Sequence, residues 1–165
     1  MGLFDKLFKS SEVLPEVGDE DIISLGAGEV IPVSTVSDVM FAQEMLGKTC
    51  AFKLTDKTVV CPANGTVEVS FPTGHAFGLR MNDGTGILVH IGVDTVNLNG
   101  KGFKPYLKVG DKVKAGQKAV DVDWSVVENA GLDTSVMMII TEPVEGKTYD
   151  FVEAGPVAKY QPVKK

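Results

Sequence analysis

Residues 65–93, GTVEVSFPTGHAFGLRMNDGTGILVHIGV, decide the fold class because they hold three short apolar stretches separated by turn signals. In the first stretch, Val67, Val69 and Phe71 alternate with polar residues and are predicted to share one strand face. The turn sequence Asn-Asp-Gly-Thr-Gly at 82–86 divides the second stretch from the third. Similar short stretches recur along the chain, so the sequence predicts an all-β fold, an antiparallel sandwich or barrel.

Two segments carry helix signals instead. The segment SDVMFAQEMLG, residues 37–47, offers Ser37 or Asp38 as an N-cap and ends at a glycine. The segment DWSVVENAG, residues 123–131, begins at an aspartate and also ends at a glycine. We therefore expect one or two short helices beside the strands.

A short sequence similarity between two segments of the chain hints at duplication. The segments LGAGEVIPV (25–33) and PANGTVEVS (62–70) both place Gly-x-Val directly after a turn of small residues. The similarity hints at a repeated β unit.

Length and charge fit one globular domain. The 165 residues can bury a sizeable core, and the net charge of −6 argues against a nucleic-acid partner while allowing a basic protein partner. Residues 10–21 are polar and acidic, which predicts an N-terminal segment and linker over 1–21 and a domain over 22–165. Neither a signal peptide nor an apolar run of membrane-spanning length is visible, so we expect a cytoplasmic location.

The first residues have an amphipathic pattern. Leu3, Phe4, Leu7 and Phe8 fall on one helical face, with charged residues away from it. The segment is either a surface-seeking helix or a frayed start, and membrane contact through so few residues would be weak and reversible.

Two cysteines, Cys50 and Cys61, lack C-x-x-C spacing and neighbouring histidines. We expect both to be reduced core residues of a reducing compartment.

Strand parity divides the residues around His90 into two faces. The first face is apolar and predicts core: Ile87, Val89, Ile91 and Val93. The second is mixed and predicts partial exposure: Leu88, His90, Gly92 and Asp94. On this face the glycine is expected to leave space beside the imidazole for an approaching partner.

His75 is the only other histidine. If the loop at 82–86 joins a hairpin, the numbers of paired residues sum to about 167, and His75 lies opposite position 92, near His90. The hydroxyl of Thr73 can hydrogen-bond an imidazole and fix its tautomer. The two imidazoles are therefore expected to lie close together.

Three roles for this pair stay open on the residues alone. A neutral histidine is a competent nucleophile for phosphoryl transfer, and a second ring can donate an N–H to phosphoryl oxygens. Metal ligation needs further His, Cys, Asp or Glu ligands, and a structural role needs none.

Three segments resemble enzyme IIA of the glucose type, a carrier of the bacterial phosphoenolpyruvate:sugar phosphotransferase system. They are HAF at 75–77, LVHIGVDTVNLNGKGF at 88–103 and GDKVKAGQ at 110–117, and the similarity runs from MGLFDKL to at least residue 131. The resemblance implies a cytoplasmic β-sandwich of the duplicated hybrid motif type. It implies that His90 is phosphorylated on Nε2, that His75 stabilises the phosphoryl group, and that Thr73 orients a site imidazole, with no metal or other cofactor required.

The resemblance also implies partners. The donor is the phosphorylated histidine phosphocarrier protein, and the acceptor is a cysteine of an enzyme IIB domain of a sugar permease; the unphosphorylated form can regulate permeases or kinases. An apolar docking ring surrounds the histidines, and its matching residues are Val39, Met40, Phe41, Met45, Leu46, Phe71, Leu88 and Val96. Asp38 and Asp94 are expected to face basic residues of the partners.

Departures from the family pattern and two rival interpretations bear on partner choice and chemistry. Pro72 and Gly74 flank Thr73 where enteric members have a charged and an amide residue, and Leu88 replaces a common aromatic. The pattern H-x-G-x-D at 90–94 also occurs in zinc peptidases, which need a further H-x-H pair that this chain lacks. Residues 107–123 resemble the turn of biotinyl and lipoyl domains, but their modified lysine setting is not evident.

Overall fold

The computed structural model describes residues 13–165, which form two open antiparallel sheets and two short helices. The predicted all-β class is confirmed, and within the described residues the sheets do not close into a barrel. The strands are β1 (Gly28–Ile31), β2 (Lys48–Leu54), β3 (Thr58–Val60), β4 (Gly65–Ser70), β5 (Ala76–Met81), β6 (Gly86–Ile91), β7 (Phe103–Pro105), β8 (Lys112–Val113), β9 (Lys118–Val122), β10 (Val136–Glu142) and β11 (Gly155–Val157).

The larger sheet has eight strands in the order β11-β1-β2-β10-β6-β5-β4-β8, and the smaller has the order β3-β9-β7. The strand β6, which carries His90, lies between β5 and β10 in the interior of the larger sheet. Both of its edges are hydrogen-bonded to neighbours, so this strand is a rigid support for the His90 side chain.

The helices are α1 (Val39–Ala42) and α2 (Trp124–Asn129), and 3-10 turns occupy Val33–Thr35 and Thr95–Leu98. Asp38 caps α1, since its carboxylate accepts a hydrogen bond from the Met40 amide at 2.8 Å. The helix is shorter than the predicted 37–47 because Glu44 adopts a left-handed conformation and its carboxylate accepts the Thr49 amide. The second helix begins after its Asp123 cap as predicted.

Gly47 has a role other than the predicted helix stop. A Cβ atom there would lie 2.0 Å from the carbonyl oxygen of Ile140 in β10. The glycine is needed because the chain passes directly against the neighbouring backbone.

The two similar segments, 25–33 and 62–70, share one structural feature, a glycine at the start of a strand. Gly28 begins β1 opposite Leu54, the last residue of β2. Gly65 begins β4 opposite Met81, the last residue of β5. A Cβ at either glycine would lie 2.1–2.2 Å from a carbonyl oxygen of that partner strand. Close backbone contact explains why both positions are glycine, and the repeated β unit stays a prediction.

Buried side chains form two clusters, one on each side of the larger sheet. The main cluster contains residues from both sheets, including Ile87, Val89 and Ile91 of β6, as parity predicts. A smaller cluster supports α1 and consists of Val36, Phe41, Ala51, Val93, Met137 and Ile139. Assigning Val93 to the same face as Ile91 was wrong, because β6 ends at Ile91 and the chain turns at the next residue.

The alternation predicted for β4 is also interrupted. Val67 is buried, whereas Val69 and Phe71 are exposed, because a bulge shifts the pairing of β4 with β5 between residues 67 and 69. The prediction that these three side chains share one face was wrong. The bulge directs Val69 to the outer face of the sheet.

Cys50 and Cys61 are buried and free, as predicted. Burial raises the pKa of both thiols to about 12, so neither is a ready nucleophile.

The N-terminal predictions fall partly outside the described residues. The predicted amphipathic face of Leu3, Phe4, Leu7 and Phe8 lies outside the described residues. Of the linker, Val17 accepts a hydrogen bond from the Asn64 side chain at 2.7 Å. None of the helices within residues 13–165 combines the length and apolar character needed to cross a membrane.

Candidate functional site

The hairpin of β5 and β6 brings the two histidines together. Ala76 pairs with His90, so the numbers of paired residues sum to 166, one less than predicted. The ring centroids of His75 and His90 are 5.4 Å apart. His75 precedes the first residue of β5 and follows a turn at Gly74, so strand parity does not direct its side chain to the opposite face. The predicted proximity of the imidazoles is confirmed.

The tautomer of His90 is fixed by the chain that follows it. Nδ1 lies 2.7 Å from the carbonyl oxygen of Gly92. Because a carbonyl oxygen only accepts, Nδ1 carries the proton and donates it. In the neutral ring, Nε2 then has a free lone pair and is the nucleophilic nitrogen.

Gly92 is closely surrounded, so the expectation of open space beside it was wrong. Its φ is +74°, and a Cβ atom would lie 2.4 Å from Cγ2 of Thr95 and 3.2 Å from the Asp133 carbonyl oxygen. The glycine is required by this left-handed turn, which directs its carbonyl to the ring. Residue patterns gave no signal for this hydrogen bond between Gly92 and the His90 ring.

His75 has a different hydrogen-bond partner. Its Nδ1 lies 2.6 Å from the Thr73 hydroxyl, which the sequence predicted as a partner of a site imidazole. A hydroxyl can donate to this nitrogen, and in that arrangement Nε2 of His75 carries the proton. The rings then offer unlike Nε2 atoms, a lone pair on His90 and an N–H on His75.

Both imidazoles are held toward the neutral form. Burial lowers the pKa of His90, and the Gly92 carbonyl, Asp38 and Asp94 only partly oppose this effect. Burial, and next the neighbouring His90, lower the pKa of His75. Neutral rings at neutral pH are what a histidine nucleophile and a hydrogen-bonding neighbour require.

A phenylalanine packs against each imidazole. The Phe41 ring centroid lies 5.0 Å from that of His90, and Phe71 lies at the same distance from His75. Phe41, which was predicted as a docking-ring residue, is only 8% exposed. It lies beneath the surface and packs against His90 from inside. Phe71 is exposed.

The other docking-ring residues are largely at the surface. Six of them are exposed and Leu88 is half-buried; the exposed ones are Val39, Met40, Met45, Leu46, Phe71 and Val96. Asp94 is exposed and Asp38 is half-buried, and both carboxylates act electrostatically on His90. The arrangement is an apolar surface with acidic groups beside the reactive ring, which suits a protein partner with basic residues.

Val69 is a surface residue that the sequence did not associate with this ring. It pairs with Gly78 of β5, which pairs in turn with Leu88 of β6, so it lies in a cross-strand row with a docking-ring residue. Its exposure follows from the bulge in β4, for which the alternating pattern carried no signal.

Within residues 13–165, no group of three or more His, Cys, Asp or Glu side chains is arranged to hold a metal ion. The two imidazoles therefore lack a third protein ligand among the described residues.

Comparison with known proteins identifies the family. Residues 20–145 match the family model described as phosphoenolpyruvate-dependent sugar phosphotransferase system, EIIA 1. The glucose-specific EIICBA component of Staphylococcus saprophyticus is 39% identical over 135 residues, covering 81% of this chain and 20% of that protein. The beta-glucoside-specific EIIBCA component of Dickeya chrysanthemi is 36% identical over 147 residues, covering 89% of this chain and 23% of that protein.

A solved structure supports the same assignment over nearly its whole length. Glucose permease IIA from Mycoplasma capricolum has a TM-score of 0.81 and 34% identity, with 87% of this chain and 93% of that chain covered. The chain spans about a fifth of the length of these curated relatives. The chain belongs to the EIIA 1 family of the phosphoenolpyruvate-dependent sugar phosphotransferase system.

Proposed function

We propose that this chain carries a phosphoryl group on Nε2 of His90 between the histidine phosphocarrier protein and an enzyme IIB domain. The observation that carries the proposal is the hydrogen bond from Nδ1 of His90 to the Gly92 carbonyl, because it leaves the lone pair on Nε2. Family membership supports a role in sugar phosphotransfer. We place the carrier domain at residues 22–165 and the protein in the cytoplasm.

The transfer needs no net redox change and no nucleotide. The lone pair of Nε2 attacks phosphorus, the P–N bond to the donor histidine breaks, and its electron pair returns to the donor ring. In the second step a cysteine thiolate of enzyme IIB attacks the same phosphorus, a P–S bond forms and the bond to His90 breaks. Nδ1 keeps its proton and its hydrogen bond to Gly92 throughout.

His75 and Thr73 are the helpers in this proposal. When Thr73 donates to Nδ1 of His75, Nε2–H of that ring is available to the phosphoryl oxygens. The ring centroids are 5.4 Å apart, so a group bound to His90 lies within reach of this donor. Fixed donors near developing negative charge stabilise a transferring phosphoryl group.

The docking ring is the proposed contact surface for both partners. Its exposed apolar side chains lie beside Asp38 and Asp94, so a basic partner with an apolar centre is complementary to it. The relatives are named as fused EIICBA and EIIBCA components, which supports an enzyme IIB acceptor. The unphosphorylated protein is proposed to regulate permeases or kinases through the same surface.

Phosphate labelling tests the proposal. The protein is incubated with phosphoenolpyruvate, enzyme I and the histidine phosphocarrier protein, and should acquire an acid-labile, alkali-stable phosphate. His90→Ala should abolish labelling, because no other described side chain offers this free Nε2.

His75→Ala is the matched variant, since it removes the neighbouring imidazole and leaves the nucleophile. It should still accept phosphate, while transfer to enzyme IIB is impaired. Thermal unfolding of both variants checks that each is folded. Normal labelling of a folded His90→Ala variant would contradict the proposal.

A further inference from the structure

Asp133, in the loop before β10, joins parts of the chain that are distant in sequence. Its Oδ2 accepts a hydrogen bond from the Ser37 amide at 3.0 Å, and its Oδ1 accepts from Nζ of Lys53 at 2.8 Å. The same Oδ1 accepts from the amide and hydroxyl of Ser135 at 2.8 and 2.7 Å. Burial opposes ionisation, but the Lys53 ammonium and these hydrogen bonds hold the pKa of the carboxyl well below its usual range.

The backbone of this loop also contacts the turn after β6. The Val93 amide donates to the Asp133 carbonyl at 3.0 Å, and the Gly92 amide donates to the Ser135 carbonyl at 2.8 Å. In a trans peptide the N–H and C=O point in opposite directions. Holding the Val93 N–H against Asp133 therefore directs the Gly92 carbonyl the other way, toward Nδ1 of His90.

The carboxylate reaches the start of α1 as well. Ser37 directly precedes Asp38, the cap of this helix, and Phe41 of the same helix packs against the His90 ring. Val39 and Met40 of α1 are exposed members of the docking ring. One residue therefore holds both the entry to the docking helix and the peptide that orients the imidazole.

We propose that Asp133 is a positioning residue that couples the docking helix α1 to the orientation of His90. The expected effects on kcat and KM rest on the proposed phosphoryl transfer. The expected effects on the positions of Ser37, Gly92 and His90 do not. The carboxylate touches neither the reacting atoms nor the imidazole, so its effect is transmitted through α1 and through the peptide between residues 92 and 93.

Two substitutions separate the two halves of the coupling. In Asp133→Asn, Oδ1 can keep its three donors, and the amide nitrogen replaces Oδ2, so a donor then faces the Ser37 N–H. In the opposite orientation, the amide N–H₂ of the new side chain would face the donors of Lys53 and Ser135. Donors do not pair with one another, so this orientation is disfavoured. This variant breaks the contact with α1 and keeps the loop. Asp133→Ala removes the contact with α1 and also the hydrogen bonds from Ser135 and Lys53 that fix the loop, so the Asp133 carbonyl that accepts the Val93 amide is no longer held in place.

For Asp133→Asn, we expect the KM for the phosphorylated phosphocarrier protein to rise about tenfold, the order expected for loss of a hydrogen bond to a charged acceptor, with kcat within about twofold. Hydrogen exchange of the Ser37 amide should accelerate. For Asp133→Ala, kcat should also fall, and the ring-nitrogen NMR shifts of His90 should move from the pure Nδ1–H pattern toward an average of both tautomers.

Asp111→Asn is the matched control. Asp111 likewise accepts a backbone amide, that of Lys108 at 2.9 Å, in a turn that does not contact the histidines. It should leave the KM, the Ser37 exchange and the His90 shifts unchanged. If Asp133→Ala does not fold, Asp133→Asn still decides the coupling to α1.

A wild-type KM for Asp133→Asn would overturn the proposal, as would an equal effect of Asp111→Asn. If the wild-type protein accepts no phosphate on His90, the proposed function fails. In that case the Ser37 exchange and the His90 ring shifts still decide whether Asp133 positions α1 and the imidazole.

Discussion

A methyl group at Gly92 has no room in the turn that orients His90. The residue has φ of +74°, and a Cβ atom would lie 2.4 Å from Cγ2 of Thr95, which is fully buried. For Gly92→Ala the left-handed backbone costs roughly 1–2 kcal/mol. The overlap with Thr95 costs about 1–3 kcal/mol more. We expect the free energy of unfolding to fall by about 2–5 kcal/mol, a large part of the stability of a typical domain.

The two contributions can be separated within this chain. Gly131 has nearly the same φ, +73°, but nothing lies within 4 Å of its Cβ position. Gly131→Ala should therefore show the backbone cost alone. Thr95→Ser removes the overlapping methyl group and keeps the hydroxyl that donates to the Ile91 carbonyl at 2.5 Å, at a cost of about 1 kcal/mol for the buried carbon.

Urea unfolding of the single and double variants measures each free energy. In the double variant Gly92→Ala, Thr95→Ser the overlap is relieved, while the backbone cost of the alanine and the cost of the serine remain, so we expect a favourable coupling of about 1–3 kcal/mol. Strict additivity of the two substitutions would refute the reasoning. Equal destabilisation by Gly92→Ala and Gly131→Ala would refute it as well, because the overlap would then contribute nothing.

Three further predictions concern the site. Because the pKa of His75 and of His90 is lowered, NMR titration should place both midpoints below 6.5. The unfolded rings then bind protons that the folded rings do not, so stability should fall as pH drops from 6.5 through the folded values. Thr73→Val removes the donor to Nδ1 of His75 and should slow transfer to enzyme IIB, while Thr73→Ser restores it. Met45→Lys should lower kcat/KM for the phosphorylated donor about tenfold, whereas Val109→Lys, at an equally exposed site (65% against 66%) outside the docking ring, should not.

Local patterns predicted the supporting strand and its histidine. Ile87, Val89 and Ile91 are buried, and His90 faces outward with Leu88, because side chains on a regular strand alternate. The hairpin turn at 82–86 predicted the pairing to within one residue. Both features depend on residues that are near one another in the chain.

The errors occur where the regular geometry ends. The bulge in β4 turned Val69 outward, and the left-handed Gly92 moved Val93 to the smaller cluster. Glu44, like Gly92, has a left-handed backbone conformation, and α1 therefore ends earlier than predicted. Alternation and helix signals assume one repeating backbone geometry, so they carry no information about a single residue that departs from it.

The contacts of Asp133 could not be predicted because they are set by the fold. Ser37 and Asp133 are 96 residues apart in the sequence and meet only when β2 and β10 pair. No spacing rule relates them. The direction of the Gly92 carbonyl has the same origin, since the loop at 133–135 holds it.

The atom that bears the phosphate is the most direct test of the account. After labelling with phosphoenolpyruvate, enzyme I and the histidine phosphocarrier protein, NMR correlation of phosphorus with the ring nitrogens identifies that atom. The hydrogen bond from Nδ1 to Gly92 predicts a phosphate on Nε2 of His90, with Nδ1 still protonated. A phosphate on Nδ1 of His90, or on any other residue, would contradict it.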